Sequence, residues 1–205
     1  FRLLLKSFWG EEGPTLAHYS GVIFSGGFGK ALGNSFLAAS VSALITTVLA
    51  FFLAYTINYT NIPRWMKGMI RAAALLPMFL PTITYGFAII YSFGKQGLLT
   101  RLFGRQLFNI YGLNGLLVGY VIYTLPIAFM LIHNTMGYID KKFMIVSRVM
   151  GDNGFSTFMM TIVRPLLGTL AASFIQAFFL CFTDFGIPAS VGGKYEVIAS
   201  VLYNQ

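Results

Sequence analysis

Four long stretches without Asp, Glu, Lys or Arg constrain the fold of this chain more than any other feature of its sequence. They cover residues 31–63, 72–94, 106–139 and 165–183. A helix that crosses a membrane needs about 20 mostly apolar residues, so each stretch is long enough for one crossing. The sequence therefore predicts an all-α, polytopic transmembrane helical bundle. It has at least four spans, near residues 34–57, 70–93, 113–135 and 165–187.

The composition agrees with a chain that is solvated by lipid. Only 10% of the residues are charged, whereas roughly 25% are charged in a soluble domain. The formal net charge is +8, but the basic residues lie in short stretches between the uncharged runs. Residues placed in this way act as anchors at the membrane interface. They form no basic stripe, so nucleic acid is not predicted as a partner.

The basic residues also predict which loops face the cytoplasm. If the spans alternate in direction, loops 58–69 and 136–164 lie on one side and, with Arg71, hold seven Lys and Arg. The other side also holds seven, but Arg2 and Lys6 are far from any span and are discounted. Because basic residues are enriched on the cytoplasmic side, the 136–164 loop is predicted to be cytoplasmic.

The ends of the chain predict a piece of a longer protein. Phe1 opens the sequence without an initiator Met or a basic signal-peptide region. Residues 1–33 are predicted to be an extracytoplasmic lead-in segment, and residues 34–205 to be the transmembrane domain. This domain is expected to be truncated before Phe1, and it can be truncated after Gln205 as well.

Three residues in the spans are candidates for lining a solute path. Pro77 and Pro81 leave neighbouring carbonyls without partners, so the sequence predicts a bend that either lines a path or is only structural. Asp184 is the only acid near membrane depth, where a charge is costly and often functional. It attracts a cationic solute, pairs with a basic residue on a neighbouring span, or caps the helix break at residues 186–188.

The most polar part of the chain is the loop between the third and fourth spans. Residues 140–164 contain six charges in 25 positions. Asp140 can cap a helix that ends at Gly151, and Asp152 or Asn153 can cap a second short helix before Pro165. This arrangement would expose two aromatic rings, Phe155 and Phe158. Exposed rings on a helical hairpin suggest docking into a partner's groove, and the alternative is a hairpin packed on its own bundle.

Catalytic and metal-binding chemistry is not predicted. His18 and His133 are isolated in the sequence, and Cys181 is the only cysteine, so neither an internal disulfide nor a cysteine metal site is expected. No Gly-rich phosphate loop with Gly-Lys-Ser or Gly-Lys-Thr occurs. We therefore expect a protein that is not an enzyme and needs no cofactor, and whose ATP, if any is used, is hydrolysed elsewhere.

One segment carries a family resemblance. Residues 145–165 read IVSRVMGDNGFSTFMMTIVRP and resemble the EAA loop of permease subunits in binding-protein-dependent ABC importers. Gly151 occupies the position of the loop's glycine, and Pro165 closes the motif. Phe155 and Phe158 stand where aromatic residues are common. The chain departs from the family in the Glu-Ala-Ala positions, which hold Ile145, Val146 and Ser147, and at Arg164, which replaces a Leu.

The resemblance implies a permease fold and a coupling role for this loop. In the family the loop lies on the cytoplasmic side, seated in a groove of the ATP-hydrolysing subunit. The residues that would form this coupling loop here are Arg148, Gly151, Asp152, Phe155, Phe158 and Pro165. Implied partners are an ATP-binding cassette ATPase subunit, a solute-binding protein, a second permease module and membrane lipid. The second module can be identical, homologous or fused in the same chain.

The end of the chain narrows the resemblance. The stretch FTDFGIPASVGG, residues 182–193, is similar to the branch that handles ferric iron, 2-aminoethylphosphonate, polyamines or thiamine. On this resemblance the protein is a multi-pass protein of the bacterial inner membrane, with one span before Phe1 and at least one after Gln205.

The residues leave two other classes open. A secondary transporter or channel-like protein would work without an ATPase partner, and its usual marker is several ionisable groups within the spans. Only Asp184 approaches that marker. An intramembrane enzyme would need a catalytic set, which the sequence does not offer.

Overall fold

The computed structural model of this chain describes residues 8–10, 13–15, 21, 27–106 and 108–203, and most of them are helical. Two short strands, β1 (Trp9–Gly10) and β2 (Gly13–Pro14), pair antiparallel ahead of the helices. The helices that follow are α1 (Phe28–Tyr59), α2 (Arg64–Leu75), a 3-10 turn (Leu76–Phe79), α3 (Thr82–Phe93), α4 (Leu98–Phe103), α5 (Leu113–Gly137), α6 (Lys142–Val149), α7 (Gly154–Phe158), a π turn (Met159–Val163), α8 (Arg164–Thr183), α9 (Gly186–Val191) and α10 (Ile198–Tyr203). The predicted all-α bundle is confirmed.

Helices α1, α5 and α8 pack against one another and form the centre of the bundle. The buried face of α1 consists largely of Ala, Ser and Thr, which let membrane helices approach closely. The hydroxyls of Thr46 and Thr124 lie 2.9 Å apart and join α1 to α5. Three helical segments of the described chain are long and apolar enough to span a membrane: Phe28–Tyr59, Leu113–Gly137 and Gly154–Thr183.

The second predicted span, 70–93, is not one helix. The segments Arg64–Phe79 and Thr82–Phe103 meet at an angle of 115°. Pro77 lies in the first turn of the 3-10 segment, and Pro81 precedes α3 with extended backbone, φ −60° and ψ 148°. Leu80 is also extended, with ψ 141°, because a residue before proline avoids the helical region. The predicted bend is present, but it divides the span into two helices.

The fourth span begins earlier than predicted. A helix was expected to stop at Pro165, whereas the structure has one continuous helical segment from Gly154 to Thr183. Proline cannot donate to the carbonyl four residues before it and its ring collides with that carbonyl. The π turn Met159–Val163 lies just before Pro165. Such a bulge accommodates both the missing hydrogen bond and the proline ring without ending the helix.

Two apolar clusters hold the bundle together at its two ends. One cluster surrounds Phe51, Phe129 and Ile162, beside the loop of residues 136–164, which we call the hairpin. The other surrounds Ile110, Tyr120 and Val191. We call these the hairpin end and the far end. At the far end, the N–H of Ile198 donates to the hydroxyl of Ser35, 2.8 Å away. Most of the predicted lead-in segment 1–33, with His18, lies outside the described residues.

Candidate functional site

The hairpin consists of two short helices joined by a tight turn at Gly151. Gly151 has a φ of +90° and so ends α6 in a conformation that L side chains rarely adopt. At the start of α6, the carboxylate of Asp140 accepts the N–H of Lys142, at 2.9 Å. At the start of α7, the side-chain oxygen of Asn153 accepts the N–H of Ser156, at 2.8 Å. Of the two predicted caps for α7, Asn153 therefore has this role.

Asp152 instead ties the two helices together. Its carboxylate accepts the hydroxyl of Ser147 at 2.6 Å, and the hydroxyl of Ser147 lies 3.0 Å from that of Thr157. Ser147 and Thr157 are buried between α6 and α7. Sequence reasoning missed this polar link, although Ser147 stands within the Glu-Ala-Ala positions of the family motif. The link therefore fixes the angle between α6 and α7.

The outer surface of the hairpin is apolar. Val149 is 82% exposed, Met150 79% and Phe155 72%. Beside them, a groove of about 650 Å³ runs between α6, α7 and the base of α8, and Pro165 contributes to its lining. Arg148 lies exposed on the same hairpin. Contiguous exposed apolar surface with polar edges is typical of an interaction site.

Phe158 does not belong to this surface. Its ring packs edge-on against Phe51 and Tyr55 of α1, at centroid distances of 6.1 and 5.7 Å. The prediction that both hairpin rings are exposed is therefore wrong for Phe158 and right for Phe155. The two rings are three positions apart in one helical segment, and the nearby α1 covers only one of them. Phe158 attaches the hairpin to the bundle.

A polar network provides a second attachment of the hairpin. The ammonium of Lys141 donates to the backbone oxygen of Asn58, at 2.7 Å, and lies 5.5 Å from the ring centroid of Tyr59. The side-chain nitrogen of Asn58 lies 2.9 Å from Nδ1 of His133. Nε2 of His133 lies 3.2 Å from the guanidinium of Arg71. His133, which is isolated from other His residues in the sequence, thus connects α1, α2 and α5 where they meet the hairpin.

Backbone oxygens at the proline break receive hydrogen bonds from within the chain. The hydroxyl of Tyr85 donates to the backbone oxygens of Pro77 and Leu80, the second at 3.1 Å. The oxygen of Pro77 also accepts the N–H of Leu80, at 3.1 Å. Lipid could not have satisfied carbonyls that such a break frees. Phe79, inside the break, is 84% exposed. The break therefore has a fixed geometry and presents an apolar tip.

Asp184 lies at the junction of α8 and α9 and is buried. Its carboxylate accepts the N–H of Ile187 at 2.9 Å, so it caps the break at residues 186–188, which is one of the three predicted roles. Gly186 lies against α3 so closely that a Cβ there would be 2.3 Å from the hydroxyl of Thr82. Thr82 follows Pro81 directly. The structure therefore brings Asp184 close to one edge of the proline break.

The predicted site residues thus form two groups. Gly151, Asp152, Phe155, Arg148 and Pro165 lie on the hairpin or at its base. The second group comprises Pro77, Pro81 and Asp184, which are linked through the start of α3. Among the described residues, no group of three His, Cys, Asp or Glu side chains could hold a metal ion.

Comparisons with known proteins identify relatives over most of the chain, although no protein-family model matches it. The ferric transport system permease protein of Actinobacillus pleuropneumoniae is 27% identical over 179 residues, 85% of this chain and 26% of the relative. The thiamine transport system permease protein of Salmonella typhimurium is 29% identical over 163 residues, 78% of this chain and 30% of the relative. The molybdenum transport system permease protein of Haemophilus influenzae is 23% identical over 183 residues, 83% of this chain and 77% of the relative.

The chain therefore spans about a third or less of the ferric and thiamine permeases that it matches. Each of these relatives is a permease of a transport system, and each match extends over at least three quarters of the chain. The membrane-spanning helices described above are what such a permease requires. These matches confirm the family resemblance: over most of its length, this chain is a transmembrane protein homologous to the permease subunits of binding-protein-dependent ABC importers.

Proposed function

We propose that the chain forms part of the translocation pathway of an ATP-driven, binding-protein-dependent importer of a small solute, and that the hairpin docks on a separate ATPase subunit. The observation that carries this proposal is the apolar hairpin surface around Val149, Met150 and Phe155, beside a groove at the base of α8. A hairpin that served only to connect two spans would gain nothing from exposing these side chains to water.

The construction of the hairpin supports a mechanical role. The Gly151 turn, the Asn153 cap and the link between Ser147 and Asp152 hold its two helices in one arrangement. Phe158 and Lys141 attach that arrangement to the bundle. A force applied by a partner at Phe155 would therefore reach α1 and α8 rather than dissipate in a loose loop.

The proline break is our candidate for the lining of the solute path. Pro77 and Pro81 interrupt a membrane segment whose tip, Phe79, is 84% exposed. Asp184 belongs to this region by holding α9 at the start of α3. The proposal includes a solute-binding protein and a second permease module as partners, and a bacterial inner membrane as the location.

Co-purification tests the docking step. The full-length protein is purified from native membranes with the ATPase subunit that accompanies it, and solute-stimulated ATP hydrolysis is measured. Burying one large apolar side chain contributes about 1.5–3 kcal/mol, so Phe155→Ala together with Met150→Ala should lower ATPase recovery by at least tenfold. Leu102→Ala, at another exposed apolar residue, on α4, is the matched control and should leave recovery unchanged.

The alternative is a secondary transporter or channel-like protein without an ATPase partner. Full ATPase recovery and full solute-stimulated hydrolysis in the double variant would contradict docking at this surface. Solute uptake that persists in cells depleted of ATP, with no ATPase recovered from the unaltered protein, would favour the alternative.

Phe158→Ala should act differently from Phe155→Ala. It should lower thermal stability, because the ring of Phe158 packs inside the bundle.

A further inference from the structure

Helix α2 lies near the hairpin end of the bundle. Among the helices there that have at least three turns, it has the fewest buried residues. It follows α1, whose last residue Tyr59 lies under Lys141 of the hairpin. Of the residues Arg64–Leu75, only Ala74 is buried. Arg71 reaches His133 near the end of α5. The helix therefore lies at the boundary between the membrane-spanning bundle and the hairpin, with most of its surface free of contacts to the rest of the described chain.

One face of α2 is basic. Arg64, Lys67 and Arg71 are spaced by three and four residues, which places them on the same face of a helix. No Asp or Glu occurs in the sequence between Glu12 and Asp140, so the neighbouring sequence supplies no acid to neutralise this face. The guanidinium of Arg71 makes one contact with His133, and an Arg side chain has five N–H donors. Its position is thus fixed while most of its donors remain for another acceptor.

A different face of the same helix is apolar and exposed. Trp65, Met69 and Ala72 are spaced by four and three residues and so share one face. The side chain of Trp65 is 66% exposed and that of Met69 is 62% exposed. Trp is enriched where acyl chains meet headgroups, because its ring is apolar and its N–H is polar. Within about three turns, α2 therefore presents both an apolar and a cationic face.

We propose that α2 lies in the plane of the membrane interface and binds anionic phospholipid headgroups. Trp65 and Met69 enter the acyl layer, while Arg64, Lys67 and Arg71 contact the phosphates and the anionic headgroup. A lipid interface offers an apolar layer and a negative layer side by side, which matches the two faces of this helix. The proposal goes beyond transport: it makes the position of the proline break, which α2 enters directly at Leu76, depend on the lipid around it.

Quenching of Trp65 fluorescence by brominated lipid tests the proposal. In the full-length protein, Trp9 and any further tryptophan are replaced by Phe, so that Trp65 is the single tryptophan. This single-tryptophan protein is placed in nanodiscs of phosphatidylglycerol and phosphatidylcholine. In one preparation only the phosphatidylglycerol carries brominated acyl chains, and in the other only the phosphatidylcholine does. We expect stronger quenching, at equal mole fraction, from brominated phosphatidylglycerol. Each basic residue near a membrane surface contributes about fivefold to this preference.

The variant Arg64→Gln with Lys67→Gln should reduce the preference by at least fivefold while Trp65 stays quenched. Lys95→Gln with Arg101→Gln removes two exposed charges beyond the far end of α3 and should leave it unchanged. Equal quenching by both labels in the single-tryptophan protein, with its basic residues intact, would overturn the headgroup preference. Absence of quenching by either label would show that a protein surface covers Trp65, which also overturns the proposal. Both of these readings use the single-tryptophan protein with its basic residues intact and so do not depend on how the glutamine variants fold.

Discussion

Asp184 stabilises the turn between α8 and α9 through its carboxylate. The backbone at Asp184 is extended, with φ −72° and ψ 136°, so the helix ends there and the next N–H groups need new acceptors. The carboxylate accepts one of them, from Ile187, in a buried position. A buried N–H without a partner costs about 1–3 kcal/mol. This cost explains an acid near membrane depth without any contact to a solute.

Substitutions at Asp184 should separate the cap from the charge. Asn retains a side-chain oxygen and caps helices about as well as Asp, so Asp184→Asn should preserve both thermal stability and uptake. Asp184→Ala removes the acceptor and should destabilise the protein by about 1–3 kcal/mol, measured as thermal unfolding in detergent. A large loss of uptake in Asp184→Asn, at normal expression and stability, would show instead that the negative charge acts on the solute.

Helices α3 and α9 pack closely, with a glycine on each side of their crossing. A Cβ at Gly86 would lie 1.6 Å from the hydroxyl oxygen and 2.5 Å from the Cβ of Ser190, and 3.7 Å from its Cα. The clash is therefore with the Ser190 side chain, and the backbones themselves leave room. At the other side of the crossing, Gly186 lies against Thr82. The crossing joins the second half of the broken span to the segment that Asp184 caps.

A compensating pair of substitutions tests this crossing. Gly86→Ala should destabilise the protein, because overpacking costs about 1–3 kcal/mol, and should shift the thermal unfolding midpoint downward. Adding Ser190→Gly removes the clashing atoms, so the double variant should recover most of the loss attributable to the clash. Gly168→Ala, on α8 where a Cβ meets no atom within 4 Å, is the matched control. Equal losses in the single and double variants would contradict the crossing.

At the scale of the molecule, the arrangement of spans predicts that the hairpin and the segment after α3 face opposite sides of the membrane. The unaltered protein has one cysteine in these residues, Cys181, which is buried. In a Cys181→Ser background, Lys142→Cys and Gln96→Cys place single thiols at exposed positions. A membrane-impermeant thiol reagent added outside intact cells should label Gln96→Cys only, with Lys142→Cys labelled after the membrane is opened. Labelling of both from outside would refute the topology.

Much of this architecture follows from the sequence because it depends on polarity along the chain. Runs without charge must lie in lipid, and their lengths set the positions of α1 and α5. Helix ends can also be predicted from the sequence. Gly151 ends α6 because glycine readily adopts a positive φ. Asp140 and Asn153 stand at helix starts because their side chains accept N–H groups. These features need only neighbours in sequence.

Other features depend on contacts between segments that are far apart in the chain. The sequence alone determined that this is a polytopic helical membrane protein with a capped helical hairpin, because hydrophobicity and capping are local properties. Only the tertiary structure decided that Phe158 packs inward on Phe51 while Phe155 stays exposed, and that His133 joins Asn58 to Arg71. It also decided the 115° angle of the broken span. A periodic pattern predicts that a face will be covered, but which helix covers it depends on how the whole chain packs.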